Sequence, residues 1–260
     1  MNSACASLLA LARRLAAAVL AVPALGATGT ARAADVSVAV AANFTAPMQA
    51  IAAAFERDTG HRAVLAFGST GRFAAQVRHG APFQVLLAAD AETPARLEQE
   101  GLAVSGTRFT YATGRLVLWS ATPGLVDAKG EVLARESGRI AIADPRLAPY
   151  GRAAEQAIEA LGLTMQVRPR LVQGDSIAQV HQFVRSGNTP LGFVALSQVT
   201  RDGRIAQGSG WLVPARLHAP IRQDAVLLAA GRGQPAALAL LAYLRAETAR
   251  AVIRSHGYEL

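Results

Sequence analysis

The feature that most constrains the fold is a module that occurs three times along the chain. Each module is a short apolar strand, a tight turn of small and hydroxyl- or amide-bearing residues, and the start of a helix, at residues 36–45, 65–71 and 172–177. The first turn of a helix leaves backbone N–H groups unpaired, and the helix dipole adds partial positive charge there. Several such turns aimed at one point form an anion site without a lysine or a metal. The modules therefore predict an α/β fold with a binding site at its strand-to-helix loops.

Apolar strand patterns and helix patterns alternate through the first part of the chain. The predicted strands 36–40, 63–67 and 83–88 are followed in turn by predicted helices 47–57, 73–78 and 93–100. This βαβαβα order predicts a mainly parallel sheet that is flanked by helices.

The rest of the chain contains a second α/β unit and a final segment. Predicted strands at 115–119, 139–143 and 190–195 accompany predicted helices at 151–161 and 177–184, before a strand at 225–229 and one tail helix at 235–256. We therefore predict two lobes, with lobe I formed by residues 34–115 plus 220–260 and lobe II by residues 116–219. Two crossovers, near Leu116 and Ala225, form the predicted hinge. Ligands of such sheets bind beyond the carboxyl ends of the strands, here in the cleft between the lobes.

The N-terminus has the pattern of a cleavable signal peptide. Arg13 and Arg14 precede the apolar run 15–26, and Ala31-Arg32-Ala33 is a small-x-small cleavage pattern. A membrane anchor is the alternative, but the run is shorter than the roughly 20 apolar residues that span a bilayer. We therefore predict that residues 1–33 are removed and that the mature chain is periplasmic; the Arg-Arg pair leaves the export route open.

Composition excludes several classes of function. The only cysteine, Cys5, lies in the predicted signal peptide, so the mature chain has no disulfide, cysteine nucleophile or thiolate metal site. The formal net charge is +8, but the arginines are scattered among acidic residues, so nucleic acid is not a predicted partner. The five histidines lack metal-ligand spacing.

A set of short motifs connects the chain with a known family. The motifs occupy residues 39–45, 67–71, 80–90, 142–145, 148–152, 174–177 and 190–194. In order and spacing they resemble the periplasmic molybdate-binding proteins (ModA type) of ABC importers. The resemblance implies a two-lobed periplasmic binding protein of type II, with mixed, mainly parallel sheets. It also implies a monomer that has no enzymatic activity and no cofactor, and that delivers molybdate, and also tungstate, to an ABC permease in the inner membrane.

The resemblance also implies the residues that bind the oxyanion. In the family, neutral donors from both lobes hold the ion, and the matching positions here are Asn43, Ser69, Tyr150 and Ile177. Ile177 would contribute its backbone N–H. Molybdenum would be held only as the oxyanion, by these same residues.

Each of these residues also has an ordinary structural interpretation. Asn43 and Ser69 are common helix N-caps, although Thr45 is an equally good cap and would leave Asn43 free. Thr70 is a weaker candidate donor than Ser69, and the Ile177 side chain suits a core.

The sequence leaves the preferred ion open. Many family members carry a tyrosine where this chain has Ala195, and Tyr150 can supply a hydroxyl from another loop. We place Arg72 and Arg152 outside the ion contacts, because the family uses neutral donors. Donors alone favour a fully ionised oxyanion over phosphate, which keeps a proton near neutral pH. Sulfate or another oxyanion remains the alternative ligand.

One enzymatic alternative deserves a test. Gly174-Asp175-Ser176 is similar to the nucleophile motif of GDS-type serine esterases. That chemistry needs a base and an orienting acid. His181 follows Ser176 by five residues on a predicted helix, and no aspartate accompanies His256, so we predict that the chain is not an enzyme.

Overall fold

The computed structural model describes residues 33–135, 138–201 and 204–260. The predicted signal peptide, residues 1–33, lies outside this part of the chain except for Ala33. Within these ranges, no helix is long and apolar enough to cross a membrane.

The strands are short and mostly buried. They are β1 (Asp35–Ala41), β2 (Arg62–Gly68), β3 (Val85–Leu87), β4 (Phe109–Gly114), β5 (Leu116–Ser120), β6 (Ile140–Ala143), β7 (Leu171–Gly174), β8 (Leu191–Ala195), β9 (Thr200–Arg201), β10 (Arg204–Ile205), β11 (Ser209–Leu212) and β12 (Ile221–Leu227).

The helices lie between and around the strands. They are α1 (Thr45–Thr59), α2 (Thr70–Arg78), α3 (Glu92–Gln99), α4 (Val132–Arg135), α5 (Pro149–Ala160), α6 (Thr164–Val167), α7 (Ile177–Arg185), α8 (Leu196–Val199), α9 (Pro235–Arg245) and α10 (Glu247–Ser255). Short 3₁₀ segments lie at Ala42–Phe44, Arg168–Arg170, Ala215–Leu217 and Ala229–Gly231.

In the described part of the chain, ten of these strands form two five-stranded sheets of the same design. The first has the order β2-β1-β3-β12-β4 and the second the order β11-β5-β8-β6-β7. In each sheet one strand, β12 in the first and β5 in the second, runs opposite to the other four. The prediction of two mixed, mainly parallel sheets flanked by helices is confirmed.

The two antiparallel strands are also the places where the chain passes from one sheet to the other. Strand β4 of the first sheet runs through Arg115 directly into β5 of the second, and the chain returns to the first sheet at β12. Because both sheets then point the carboxyl ends of their parallel strands into the space between them, that space collects the strand-to-helix loops. We call the parts built on the first and second sheets lobe I and lobe II.

Two apolar clusters in lobe I and one centred on lobe II provide the cores. The lobe II cluster also includes Ala41, Ala42 and Ala89 from lobe I. Residues 33–260 pack as one compact unit. The predicted lobe boundaries at 115/116 and 219/220 therefore stay a prediction.

The prediction of a single tail helix is wrong. Ala246 adopts an extended conformation with φ −73° and ψ 154°, and it separates α9 from α10. The chain changes direction at this break, and Leu240 and Leu244 of α9 and Ile253 of α10 all belong to the same core cluster. Sequence patterns also missed β4 and β11, two strands at sheet edges.

Candidate functional site

Three helices of eight or more residues begin around one cavity between the lobes. They are α2, α5 and α7, and their N-cap residues are Ser69, Ala148 and Ser176. The 3₁₀ turn that follows β1 lies at the same place. The residues that line the cavity are Ala41, Ala42, Asn43, Gly68, Ser69, Thr70, Ala89, Ala148, Pro149, Tyr150 and Ile177. The structure thus brings all four predicted site residues together.

The cavity is small and electrically neutral in its side chains. Its volume is about 10 Å³, roughly the space of one water-sized sphere. Of the described residues that line it, none carries a charged side chain. In the described ranges, no group of three or more His, Cys, Asp or Glu residues could hold a metal ion. Any attraction of the lining for an anion therefore comes from N–H groups and helix dipoles.

Ser69 lies at the N-cap of α2 but does not cap it. Its side chain makes no capping hydrogen bond, the residue is 4% exposed, and its hydroxyl oxygen has no hydrogen-bond partner within the protein. An unpaired buried hydroxyl costs about 1–3 kcal/mol. A ligand in the cavity would satisfy it.

The neighbouring Thr70 has a structural role. Its hydroxyl oxygen accepts a hydrogen bond of 2.9 Å from the backbone N–H of Ala89, just after β3. This contact joins the start of α2 to the end of β3, and it fixes two edges of the cavity.

Asn43 is held by hydrogen bonds within the protein. Its side-chain amide donates to Gln223 Oε1 at 2.8 Å and to the Tyr258 hydroxyl at 2.9 Å. The proposed capping role of Thr45 is wrong, because Phe44 is the N-cap of α1 without a side-chain bond. The Thr45 hydroxyl instead donates to the carbonyl of Ala42 at 2.8 Å. Any donation from Asn43 to a ligand therefore falls to its backbone N–H.

Tyr150 offers two different donors. Its backbone N–H lies in the first turn of α5, where helical N–H groups lack an intrahelical partner. Its hydroxyl oxygen accepts from Gln223 Nε2 at 3.2 Å. Burial raises the pKa of Tyr150 well above its usual value, so the phenol keeps its proton at physiological pH.

Ile177 is the first residue of α7, and its side chain belongs to the lobe II core cluster. Its N–H is therefore also without an intrahelical partner. The Gln198 side-chain amide connects the start of α7 to the end of β8. Its Nε2 donates to the Ile177 carbonyl at 3.2 Å while its Oε1 accepts from the Ala195 N–H at 3.0 Å.

Four further polar residues form a hydrogen-bond network with Asn43 behind the cavity lining, and sequence analysis did not find them. They are Tyr111, Ser197, Gln223 and Tyr258, all buried. The Ser197 and Tyr258 hydroxyls both donate to the Asn43 carbonyl at 2.8 Å. No local pattern marks these residues, because their partners lie 23 to 215 positions away along the chain.

Contacts across the cleft hold the two lobes against each other. The Gly71 N–H donates to the Leu147 carbonyl at 2.9 Å, and a Cβ at Gly71 would lie 2.9 Å from the Leu147 Cα. Arg72 of lobe I pairs with Asp175 of lobe II. These contacts place Arg72 beside the cavity mouth rather than in its lining.

A second set of ion pairs also crosses the cleft, but here the arginine belongs to lobe II and its acidic partners to lobe I. Arg152 of lobe II pairs with Asp90 of lobe I at 3.0 Å and with Glu92 at 3.2 Å. The lobes are therefore closed over the cavity, and each pair neutralises an arginine that stands near it.

The residues of the esterase alternative have other roles. The Ser176 hydroxyl accepts from the Gln179 N–H at 3.3 Å and so caps α7. The His181 ring packs on Trp119, with 5.2 Å between ring centroids.

A larger depression of about 610 Å³ lies on the outer face of lobe II. Its lining includes Glu155 and Glu159 against one arginine, Arg168, and this excess of negative charge disfavours an anion. It therefore does not compete with the cavity between the lobes as an oxyanion site.

Comparisons with known proteins place the chain in a family. The model of the family described as "Bacterial extracellular solute-binding protein" matches residues 36–259. The molybdate-binding protein ModA of Azotobacter vinelandii is 57% identical over 231 residues, which are 88% of this chain and 92% of that protein. The chain belongs to the ModA family. This membership confirms the resemblance seen in the motifs and the prediction of a binding protein rather than an enzyme.

Two further relatives support the assignment. The ModA protein of Rhodobacter capsulatus is 49% identical over 229 residues, covering 88% of this chain and 89% of that protein. The solved structure of an Azotobacter vinelandii periplasmic molybdate-binding protein superposes with a TM-score of 0.83 at 41% identity, covering 86% of this chain and 99% of that chain. The type II periplasmic binding protein fold of this family member is confirmed.

Proposed function

We propose that this protein binds molybdate, and also tungstate, between its lobes in the periplasm and delivers the ion to an ABC permease in the inner membrane. The proposed donors are Ser69 through its hydroxyl, and Asn43, Tyr150 and Ile177 through their backbone N–H groups. Tyr150 can add its hydroxyl.

The observation that carries the proposal is the convergence of three helix N-termini on one cavity with an unpaired buried hydroxyl. The helices α2, α5 and α7 come from both lobes, and Ser69 has no partner within the protein. Unpaired N–H groups and helix dipoles stabilise a negative ligand. A low dielectric in the closed site strengthens every such contact.

The donor set supports an ion without protons. A protonated oxyanion such as hydrogen phosphate must donate its own hydrogen, and a site that presents donors leaves that hydrogen unpaired. Molybdate, tungstate and sulfate are fully ionised at neutral pH. The names of the relatives support molybdate among these three.

Calorimetry and thermal unfolding of the exported, dialysed protein test the proposal. We expect molybdate and tungstate to bind, and phosphate to bind much more weakly. A ligand at about 1,000 times its Kd stabilises the folded state by about 4 kcal/mol. For a chain of this size, this raises the midpoint of unfolding by roughly 8–16 °C.

Sulfate is the informative competitor. It has the same charge and tetrahedral shape as molybdate, but its bonds to oxygen are shorter. Tighter binding of sulfate than of molybdate would redirect the proposal to a sulfate receptor. A midpoint that none of the oxyanions moves would refute an oxyanion site. Intact mass of the exported protein tests the removal of residues 1–33 independently.

The ion pairs across the cleft should slow release of the ion. We expect Asp175→Asn, which breaks the pair with Arg72, to raise the dissociation rate of molybdate with little change in the association rate. The pair is about half exposed, with side-chain exposures of 54% and 56%, so the effect should stay within about five-fold, equivalent to at most about 1 kcal/mol. Stopped-flow displacement of molybdate by excess tungstate measures it.

Asp35→Asn is the matched control. Asp35 pairs with Arg62, and their side-chain exposures are 55% and 60%, but both residues belong to lobe I. If both substitutions change the dissociation rate equally, the Arg72–Asp175 pair has no special role in closure.

A further inference from the structure

Gln223 is a completely buried amide on the crossover strand β12, and it contacts both lobes. Its Oε1 accepts from Asn43 Nδ2 at 2.8 Å and from the Tyr111 hydroxyl at 3.0 Å, both in lobe I. Its Nε2 donates to the Tyr150 hydroxyl of lobe II at 3.2 Å. Gln223 does not line the cavity itself, but Asn43 and Tyr150 do.

The donors around Gln223 set the direction of its amide. Asn43 Nδ2 donates to Oε1 and also to the Tyr258 hydroxyl, and the single Tyr111 hydrogen is shared between Oε1 and the Ala88 carbonyl, each at 3.0 Å. The other end, Nε2, can only donate. The Tyr150 oxygen consequently receives a hydrogen from Gln223. Within the protein, the hydrogen of the phenol itself has the neighbouring Tyr258 hydroxyl as its acceptor, and an ion in the cavity would compete for it.

The hydrogen bond between Gln223 and Tyr150 requires a glycine beside it. Gly114 ends β4 at the first crossover, and a Cβ at this position would clash with the Tyr150 hydroxyl and lie 2.6 Å from Gln223 Nε2. The pairing of Gln223 with Tyr150 thus depends on backbone that passes directly beside it at the hinge.

We infer that Gln223 is a positioning residue of the oxyanion site, which occupies the acceptor side of the Tyr150 hydroxyl and directs its hydrogen to the bound ion. This inference rests on the proposed function and extends it to specificity. A phenol that can only donate to the ligand favours molybdate or tungstate and rejects an oxyanion that carries a hydrogen. The buried phenol remains protonated at neutral pH, since burial raises the pKa of Tyr150.

A double-mutant cycle with Gln223→Met and Tyr150→Phe tests the inference. Methionine keeps the length of the side chain without an amide, and phenylalanine keeps the ring and the backbone N–H of residue 150. We expect each single variant to bind molybdate about 10-fold more weakly, because each removes one directed hydrogen bond to an anion. The double variant should bind about as well as either single variant, because the two residues act through one hydroxyl.

Selectivity provides a second readout that a purely structural role would not change. The ratio of phosphate to molybdate affinity at pH 7 should rise in both single variants by a similar factor. Thr110→Val is the control on the same pair of strands, because the Thr110 hydroxyl donates to Asp224 Oδ1 at 2.7 Å, next to Gln223, without touching Tyr150. We expect it to lower the unfolding temperature and leave the ratio unchanged.

The outcomes separate this inference from the proposed function. Wild-type protein that binds no oxyanion would overturn both. Wild-type protein that binds molybdate, with variants whose effects add or whose selectivity ratio stays constant, would overturn the role of Gln223 alone. The same conclusion would follow if Gln223→Met weakened binding fully in the Tyr150→Phe background, since Gln223 would then act on the site without the Tyr150 hydroxyl.

Discussion

Replacing Ile177 with proline is expected to weaken molybdate binding by about 10- to 100-fold, since it deletes a charge-assisted hydrogen bond worth about 1.5–3 kcal/mol. Ile177 is the first residue of α7, the helical position at which proline is best tolerated because its missing N–H has no intrahelical partner. Ser176 has φ −149° and ψ 163°, the extended conformation that a residue before proline prefers. The substitution therefore removes one N–H group from the cavity and leaves the helix in place.

Proline also truncates a buried side chain, so a control must separate the two effects. Ile177→Ala removes comparable packing, at a cost of about 2–5 kcal/mol of stability, and keeps the N–H. Calorimetry should show a far larger loss of affinity for proline than for alanine, and circular dichroism should show equal helix content. Equal affinities of the two variants would remove Ile177 from the set of donors.

Local sequence patterns predicted most of the fold and the position of the site. The predicted strand-to-helix modules became β1, β2 and β7 with the helical turns that follow them, because turn residues and helix starts depend on short-range chemistry. Once the order of strands predicts a mainly parallel sheet, their carboxyl ends must meet at one edge. The loops of Asn43, Ser69 and Ile177 could therefore be expected around one cavity, whereas the choice of these residues and of Tyr150 as donors came from the family resemblance.

The assignment of individual donors could not be predicted in the same way. Whether Asn43 faces a ligand or the protein depends on Gln223 and Tyr258, which lie 180 and 215 residues away along the chain. Whether Thr45 or Ser69 caps a helix depends on rotamers that packing decides. The network of buried polar residues around Asn43, formed by Tyr111, Ser197, Gln223 and Tyr258, is a property of the assembled lobes, because no local sequence pattern distinguishes its members.

Replacing Ser69 with alanine should change ligand affinity and intrinsic stability in opposite directions. The hydroxyl is buried without a partner, so its removal relieves a penalty of about 1–3 kcal/mol in the ligand-free protein. We expect the ligand-free variant to unfold at the same temperature as wild type or a higher one. Molybdate affinity should fall by about 10- to 100-fold, because a hydrogen bond to an anion is worth about 1.5–3 kcal/mol. Thermal unfolding with and without molybdate measures both quantities in one series.

Ser176→Ala provides the matched comparison, because Ser176 occupies the same N-cap position on α7 but uses its hydroxyl to accept from the Gln179 N–H. Loss of an N-cap costs about 1 kcal/mol, so this variant should unfold earlier than wild type without ligand. Comparing the two substitutions therefore distinguishes helix capping from ligand binding, because the two serines occupy equivalent positions of two helices. If Ser69→Ala lowered the ligand-free unfolding temperature as Ser176→Ala does, and left molybdate affinity unchanged, the Ser69 hydroxyl would be a cap and the α2 loop would contribute only backbone N–H groups.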